Sequence, residues 1–328
     1  MLSRRPLDGR SARSSVDGMS ATMFAIVQDR LGGPEVLHGA DVPRPVPGVG
    51  EVLVQVRAAG VNPADHMYRQ TGAFGAQPPF TLGWDVSGIV SAVGPGVTLL
   101  APGDEVFGLL PFPKGAGAYA EYVVAPTRAL IPKPESLTHE EAGALPLAGL
   151  TAWQSLVETA NVGRGTRVLV TGATGGVGHL AIQIAAARGA EVVALASTNN
   201  VDAARGYGAS QVIDYRTTDV GTVLSDLDVV IDVLGGEFTA TAVGMVRRGG
   251  IVVTMIPQVA AATRSLASER GVRLAELLVE ADRLGLNELL KLIESGRLRP
   301  TVAATYPLSD AAAAHVHGGG FGKTVLLP

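Results

Sequence analysis

Short β-branched runs broken by Gly and Pro dominate the chain from Phe24 to about Thr127: FAIV, EVLVQVRAAGV, VSGIVSAV, DEVFGLL and YAEYVVA. Several short strands with turns between them predict a compact β-rich domain. From about Glu140 the period changes. EEAGALPLAGLTAWQSLVETA, HLAIQIAAARG and VDAARGYG read as helices, while TRVLVTG, EVVALAS, QVIDY, LDVVIDVLG and GGIVVTMI read as apolar strands. Alternation of helices with continuously apolar strands predicts βαβ units in a parallel sheet covered on both faces. Beyond Val272 come an apolar run, RLAELLVEA, a helix, LNELLKLIESG, and a final strand, KTVLLP. The longest apolar region, residues 168–196, is interrupted by glycines, Arg188 and Glu191, which argues against a membrane span.

Composition narrows the function classes. A chain of 328 residues with 47% apolar and 17% charged positions is long enough for about two globular domains. Its net charge of −4 offers no general attraction for nucleic acid or anionic lipid, so neither is an expected partner. The absence of cysteine removes disulfide scaffolds, thiolate catalysis and Cys-based zinc or iron–sulfur sites. Residues 1–22 are rich in Ser and Arg without a signal-peptide apolar run. Organelle presequences share that composition, but the segment reads better as a disordered extension arising from a start-site error, with Met23 as the functional beginning and the cytoplasm as the expected compartment.

The 42 glycines are the unusual quantity, and they lead to the first chemical motif. Residues 168–178, VLVTGATGGVG, follow a predicted strand and open a predicted helix. Ala173-x-Gly175-x-x-Gly178 is the dinucleotide fingerprint with Ala in the first slot: a small residue for the tight turn, Gly175 for close approach of a pyrophosphate, Gly178 for helix–strand packing. Backbone N–H groups and the helix dipole then hold phosphate. An NAD-preferring loop places Asp or Glu about 20 residues further on, against the ribose 2′-OH. That window, residues 195–200, reads LASTNN and contains no acid, so nothing along it repels a 2′-phosphate. NADPH is therefore the expected cofactor. Ser197, Thr198 and Asn200 are hydrogen-bond donors there, and Arg205, Arg216 and Lys323 are the candidate charges, with Arg205 reading most simply as a solvated surface residue.

The ordered set AIVQDRLGGPEVL, GEVLVQVRAAGVNPAD, LGWDVSGIVSAVGPGV, PGDEVFG, GAYAEYVVAP, LPLAGLTAWQSL, VLVTGATGGVG, GASQVIDYR and HGGGFGKTVLL resembles the zinc-lacking quinone oxidoreductase, or zeta-crystallin-like, branch of the medium-chain dehydrogenase/reductase superfamily, from Met23 to Pro328. The resemblance implies an α/β fold: a Rossmann doubly wound parallel sheet over residues 146–281, plus a β-rich GroES-like domain over 23–145 and 282–328. Zinc-dependent members of the superfamily bind the metal through Cys, a His-Glu pair and Cys. Here those positions fall at Asn62, at Gly83-Trp84-Asp85 and near Leu147, so no zinc is expected. The resemblance also implies a homodimer through an edge strand at residues 273–281, which an open apolar edge would make physically sensible.

Carried over by that resemblance, Asn62 lies near the nicotinamide and Thr151 contacts the cofactor. Thr174, Gly175, Gly176 and Val177 form the pyrophosphate loop, and Ser197, with Asn200 beside it, lies at the 2′-phosphate turn. Tyr215 packs by the adenosine phosphate, and Leu234, Ile256, Pro257, Phe321, Gly322 and Lys323 line the nicotinamide side. Relatives carry Tyr five residues after the Asn; here that position is Met67 and Tyr68 follows. Asn62 and Tyr68 are the candidate catalytic donors, because negative charge develops on a carbonyl oxygen as hydride arrives.

Plainer readings stand beside these. Asn62-Pro63-x-Asp65 is also a good Asx-type turn, with Asp65 structural. His66 reads as a surface residue, Trp84 and Tyr119 as core, and His315 and His317 as local caps in a Gly-rich tail. The expected activity is zinc-independent, NADPH-dependent reduction of quinones or α,β-unsaturated carbonyl compounds. The alternatives are a 2-enoyl thioester or 2-alkenal reductase of a biosynthetic pathway, and a non-catalytic NADPH-binding structural or RNA-associated protein.

Overall fold

The computed structural model describes residues 21–114, 117–256, 258–317 and 320–328; residues 1–20, Pro257 and the side chain of His317 lie outside the described residues. The β-rich part contributes β1 (Thr22–Gln28), β2 (Leu37–Pro43), β3 (Glu51–Val61), β4 (Asp85–Val93), β5 (Glu105–Leu109), β6 (Tyr122–Pro126) and β7 (Leu130–Pro132). The α/β part contributes β8 (Arg167–Val170), β9 (Glu191–Ala196), β10 (Gln211–Asp214), β11 (Leu227–Asp232), β12 (Val246–Thr254) and β13 (Arg273–Glu276), and the chain ends in β14 (Val302–Pro307) and β15 (Lys323–Leu327).

β8 to β13 form one parallel sheet in the order β10-β9-β8-β11-β12-β13. The direction of winding reverses between β8 and β11, the switch point at which open α/β sheets bind ligands beyond their carboxyl ends. β8 shows why its sequence is apolar throughout: Val168 and Val170 pack into one core cluster and Leu169 into another on the opposite face, all fully buried. The other large sheet runs β14-β15-β3-β4-β5-β7, with β6 also paired to β3, and β1 and β2 form a separate antiparallel pair. β15 lies antiparallel to β3 and parallel to β14. The last segment thus rejoins the sheet built by the first third of the chain, which brings Lys323 beside Val61 and Asn62.

Three local expectations change. The 140–160 helix is divided at Pro146 into His139–Ala144 and Pro146–Trp153, followed by a π-helical turn at Gln154–Thr159; Pro supplies no N–H to continue the first helix. The edge strand expected over 273–281 is only the four residues of β13, at the margin of the parallel sheet. Asn62-Pro63-x-Asp65 is a helix start rather than an isolated turn: Pro63 occupies the first turn of the helix Pro63–Thr71, the Asn62 N–H donates to Asp65 Oδ2 at 2.8 Å, and left-handed Gly72 (φ 63°) ends the helix. Among the described residues no helix is long and apolar enough to cross a membrane.

Candidate active site

The glycine loop leaves β8 and enters the helix Gly178–Ala187. A methyl group at Gly178 would stand 2.0 Å from the Gly172 carbonyl oxygen, so this glycine is required by backbone approach within the loop. At Gly176 a methyl group would stand 2.9 Å from Lys323 Cδ, because the lysine stem crosses the loop there. Asn200 Nδ2 donates to Thr174 Oγ1 at 2.9 Å, and the Gly322 N–H donates to the Thr174 carbonyl at 2.7 Å. His179, not singled out by its sequence context, clamps the loop from below. Its Nδ1 faces the Gly175 carbonyl at 2.8 Å and its Nε2 faces the Thr301 N–H at 3.0 Å. One partner only accepts and the other only donates, which assigns a neutral ring with hydrogen on Nδ1. Burial, with opposition from the Gly175 carbonyl and support from the Lys323 charge, lowers its pKa to about 4.

Lys323 is the buried cation of the site. Its Nζ donates to the Val61 carbonyl at 3.0 Å, to Asn62 Oδ1, and to Asp85 Oδ2 at 3.3 Å. Asp85 is fully buried. It also accepts from Asn62 Nδ2 at 2.9 Å and, on its other oxygen, from the Leu147 N–H at 2.6 Å at the start of the helix Pro146–Trp153. Asn62, Asp85 and Leu147 are the places where the zinc-dependent pattern puts its ligand region. Among the described residues no three His, Asp or Glu side chains converge as a metal-binding group. A cleft cavity of about 320 Å³ opens beside this cluster, lined by Asn62, Lys323, His66, Leu147, Gly172, Gly175, Gly176, Val177, Val233 and Gly322, among others.

The cavity brings together Asn62, Gly175, Gly176, Val177, Gly322 and Lys323 of the expected cofactor set. Thr174, Ser197 and Asn200 do not line the cavity; Asn200 is tied to Thr174 as above, and its N–H donates to the Ser197 carbonyl at 2.8 Å. Thr151 is buried and its hydroxyl donates within its own helix to Leu147 O at 2.7 Å. Tyr215, Leu234, Ile256 and Phe321 are exposed apolar side chains. Lys323 is not free to meet a 2′-phosphate, because its ammonium is engaged with Asn62 and Asp85. The acid-free window is not acid-free in space: Thr198 Oγ1 donates to Asp214 Oδ2 at 2.6 Å.

Tyr68 is placed differently from a cleft donor. Its ring packs edge-on against Phe80 and Trp84, with centroids 5.1 Å away in both cases, and the side chain is buried outside the cavity lining. Its neighbour His66, expected at the surface, instead lines the cavity and stacks on His315 at 4.4 Å. His315 is likewise no local cap. Arg69 donates to His315 Nδ1 at 2.6 Å, so the neutral ring carries its hydrogen on Nε2, which faces the Tyr119 hydroxyl at 3.1 Å. Burial and the nearby His66 and Arg69 lower the His315 pKa to about 3, and burial followed by Arg69 lowers that of His66. Asp65 accepts from the Asn62 and Gly83 N–H groups at 2.8 and 3.1 Å. Burial pushes its pKa up to about 7 against the pull of the Asn62 N–H, while the Asp85 charge adds to the rise. His315 and Tyr119 lie far along the chain from residues 65–69, which is why no spacing pattern exposes the group.

Residues 207–326 match a family model described as zinc-binding dehydrogenase, and residues 48–135 one described as alcohol dehydrogenase GroES-like domain. The chain is 34% identical over 327 residues to the quinone oxidoreductase of Mus musculus, covering 93% of this chain and 98% of that one. The solved quinone oxidoreductase from Coxiella burnetii superposes with a TM-score of 0.88 at 34% identity, covering 94% and 100% of the two chains. The Escherichia coli quinone oxidoreductase complexed with NADPH gives 0.85 at 28% identity, covering 93% and 100%. With a parallel sheet, a glycine loop at its switch point and an Asn62–Lys323–Asp85 cluster facing that loop, the chain belongs to the quinone oxidoreductase branch of the medium-chain dehydrogenase/reductase superfamily.

Proposed function

We propose that this protein is a zinc-independent, NADPH-dependent reductase of quinones or α,β-unsaturated carbonyl compounds. The observation that carries the reading is the cavity in which the glycine loop faces Asn62 and Lys323. The residues fit a dinucleotide: a side chain at Gly175 or Gly178 would meet the Gly172 carbonyl oxygen, so the loop carries none there, at the positive end of the helix Gly178–Ala187. The NADPH complex of the Escherichia coli relative supports the same cofactor here. Residues 23–145 with 282–328 would form the catalytic domain, and 146–281 the dinucleotide domain.

When bound, NADPH supplies the hydride. The protein's part is positioning, exclusion of water and stabilisation of charge. Backbone N–H groups of the loop at Thr174, Gly176 and Val177 would hold the pyrophosphate, the Gly175 N–H being given to the Gly172 carbonyl at 2.9 Å. Val61, Leu147, Val177 and Val233 wall the cavity with apolar surface, which strengthens the electrostatic contacts inside it. Asn62 presents an amide donor to the oxygen on which negative charge develops. His66 and His315 are held neutral and are therefore poor proton donors at neutral pH, and a hydroquinone anion takes its proton from water. Zinc has no part in this reading: the position between Asn62 and Asp85 is filled by the chain's own ammonium.

The margin strand Arg273–Glu276 is the proposed homodimer edge, since an unpaired sheet edge invites pairing with a second copy. Light scattering that shows a monomer at micromolar concentration would remove that part of the proposal. For the activity, a panel of quinones, enones, alkenals and enoyl thioesters is assayed with NADPH and with NADH, before and after treatment with a chelator. Turnover of quinones or enones that survives chelation is expected. Binding of NADPH without turnover of any member would favour a non-catalytic role, and loss on chelation restored by zinc would overturn the zinc-independent mechanism.

A further inference from the structure

Lys323, Asp85 and Asn62 are 4%, 0% and 2% exposed. Burying a lysine–carboxylate pair costs desolvation that its attraction rarely exceeds, and a well-packed apolar pair often serves stability as well, so the pair calls for another explanation than stability. Its hydrogen bonding supplies one. An ammonium has three N–H groups, and Lys323 gives them to Val61 O, Asn62 Oδ1 and Asp85 Oδ2. None is left for a ligand, so Lys323 cannot itself be the donor in the cleft. Asp85 receives on both oxygens, from Lys323 and Asn62 Nδ2 on one and from the Leu147 N–H on the other.

We propose that Lys323 and Asp85 are positioning residues that lock the Asn62 carboxamide in one of its two orientations, so that it offers an N–H, and never its carbonyl, to the ligand in the cleft. The inference rests on the reductase reading and assigns the polarity of its contact residue. With the ammonium on Oδ1 and the carboxylate on Nδ2, both contacts of the amide are favourable. A flipped amide would set NH₂ against NH₃⁺ and a carbonyl oxygen against a carboxylate, two repulsive contacts in a buried site. Asn62 Nδ2 carries a second hydrogen that no described residue accepts, and Asn62 lines the cavity. The lock is tied to the cofactor loop, because the Lys323 stem crosses Gly176.

The test uses the full chain. In the wild type, one of the two Asn62 Nδ2 protons, the one given to Asp85, is expected to be strongly protected from solvent exchange in the side-chain amide resonances. Rapid solvent exchange of both protons would overturn the lock before any variant is made, and this readout needs neither turnover nor cofactor. Lys323→Met alone leaves Asp85 as an unpaired buried charge and is liable to misfold, so the informative variant is Lys323→Met with Asp85→Asn, which removes both charges and keeps the volumes. With melting behaviour retained, kcat is expected to fall at least about tenfold, while the NADPH dissociation constant, read by protein fluorescence, changes less than about threefold. A folded double variant with kcat within about twofold of the wild type would overturn the proposal. A wild type that shows the locked amide but binds no dinucleotide would instead sink the reductase reading.

Discussion

The Thr198 hydroxyl donates to Asp214 Oδ2 at 2.6 Å, placing a carboxylate from the end of β10 at the turn where a dinucleotide's ribose 2′ position is read. The Thr198 hydroxyl and then the Arg216 N–H hold that carboxylate below its ordinary pKa, so it is charged at neutral pH. Along the chain, residues 195–200 contain no acid; in space, one is present.

A 2′-phosphate should therefore feel a like charge. Asp214→Asn is expected to tighten NADPH relative to NADH by about tenfold at low salt, with the advantage shrinking as salt rises. Separate dissociation constants for the two cofactors decide it, and an unchanged ratio would mean that Asp214 lies too far from the phosphate to matter.

Stability should rise with pH between about 4 and 6.5. His179 and His315, with folded values of about 4 and about 3, stay neutral in the fold while the unfolded chain takes up their protons, so each loses stability as pH falls below 6.5. Asp65, raised to about 7, acts oppositely, because the folded state holds its proton over the same interval. His66, lowered by burial as well, acts with the two other histidines, so the net slope is upward with pH. Urea midpoints at pH 5 and pH 7 test the sign, and a higher midpoint at pH 5 would refute it. His315→Gln should flatten the slope.

The loop glycines should differ in what they lose. Gly178→Ala meets the Gly172 carbonyl oxygen and should cost about 2 to 4 kcal/mol in stability. Gly176→Ala meets the lysine stem, which can shift, so the expected effect is about tenfold weaker NADPH binding with a small change in melting temperature. Equal destabilisation by both would show that the lysine stem is as fixed as the backbone.

Tyr68→Phe should keep kcat within about threefold, because the ring packs on Phe80 and Trp84 outside the cavity lining. A loss of a hundredfold or more in steady-state assays would return the hydroxyl to the reaction.

Local rules made much of this protein legible in its sequence. Gly178 is required by an atom six residues away, Pro63 and Asp65 start a helix within four residues, and the alternation of apolar strands with helices specifies a parallel sheet wherever both faces must be covered. Steric and hydrogen-bonding demands over a few residues leave a readable pattern. The electrostatics of the site leave none. Lys323 reaches Asn62 across 261 residues, Arg69 reaches His315 across 246, and Asp214 reaches Thr198 from the neighbouring strand. Each of those contacts exists because tertiary packing brings distant segments together: β15 pairs with β3, and β10 pairs with β9. Strand pairing can join any two segments, so the charges that orient the amide and face the cofactor were decided by the folded sheets and not by spacing along the chain.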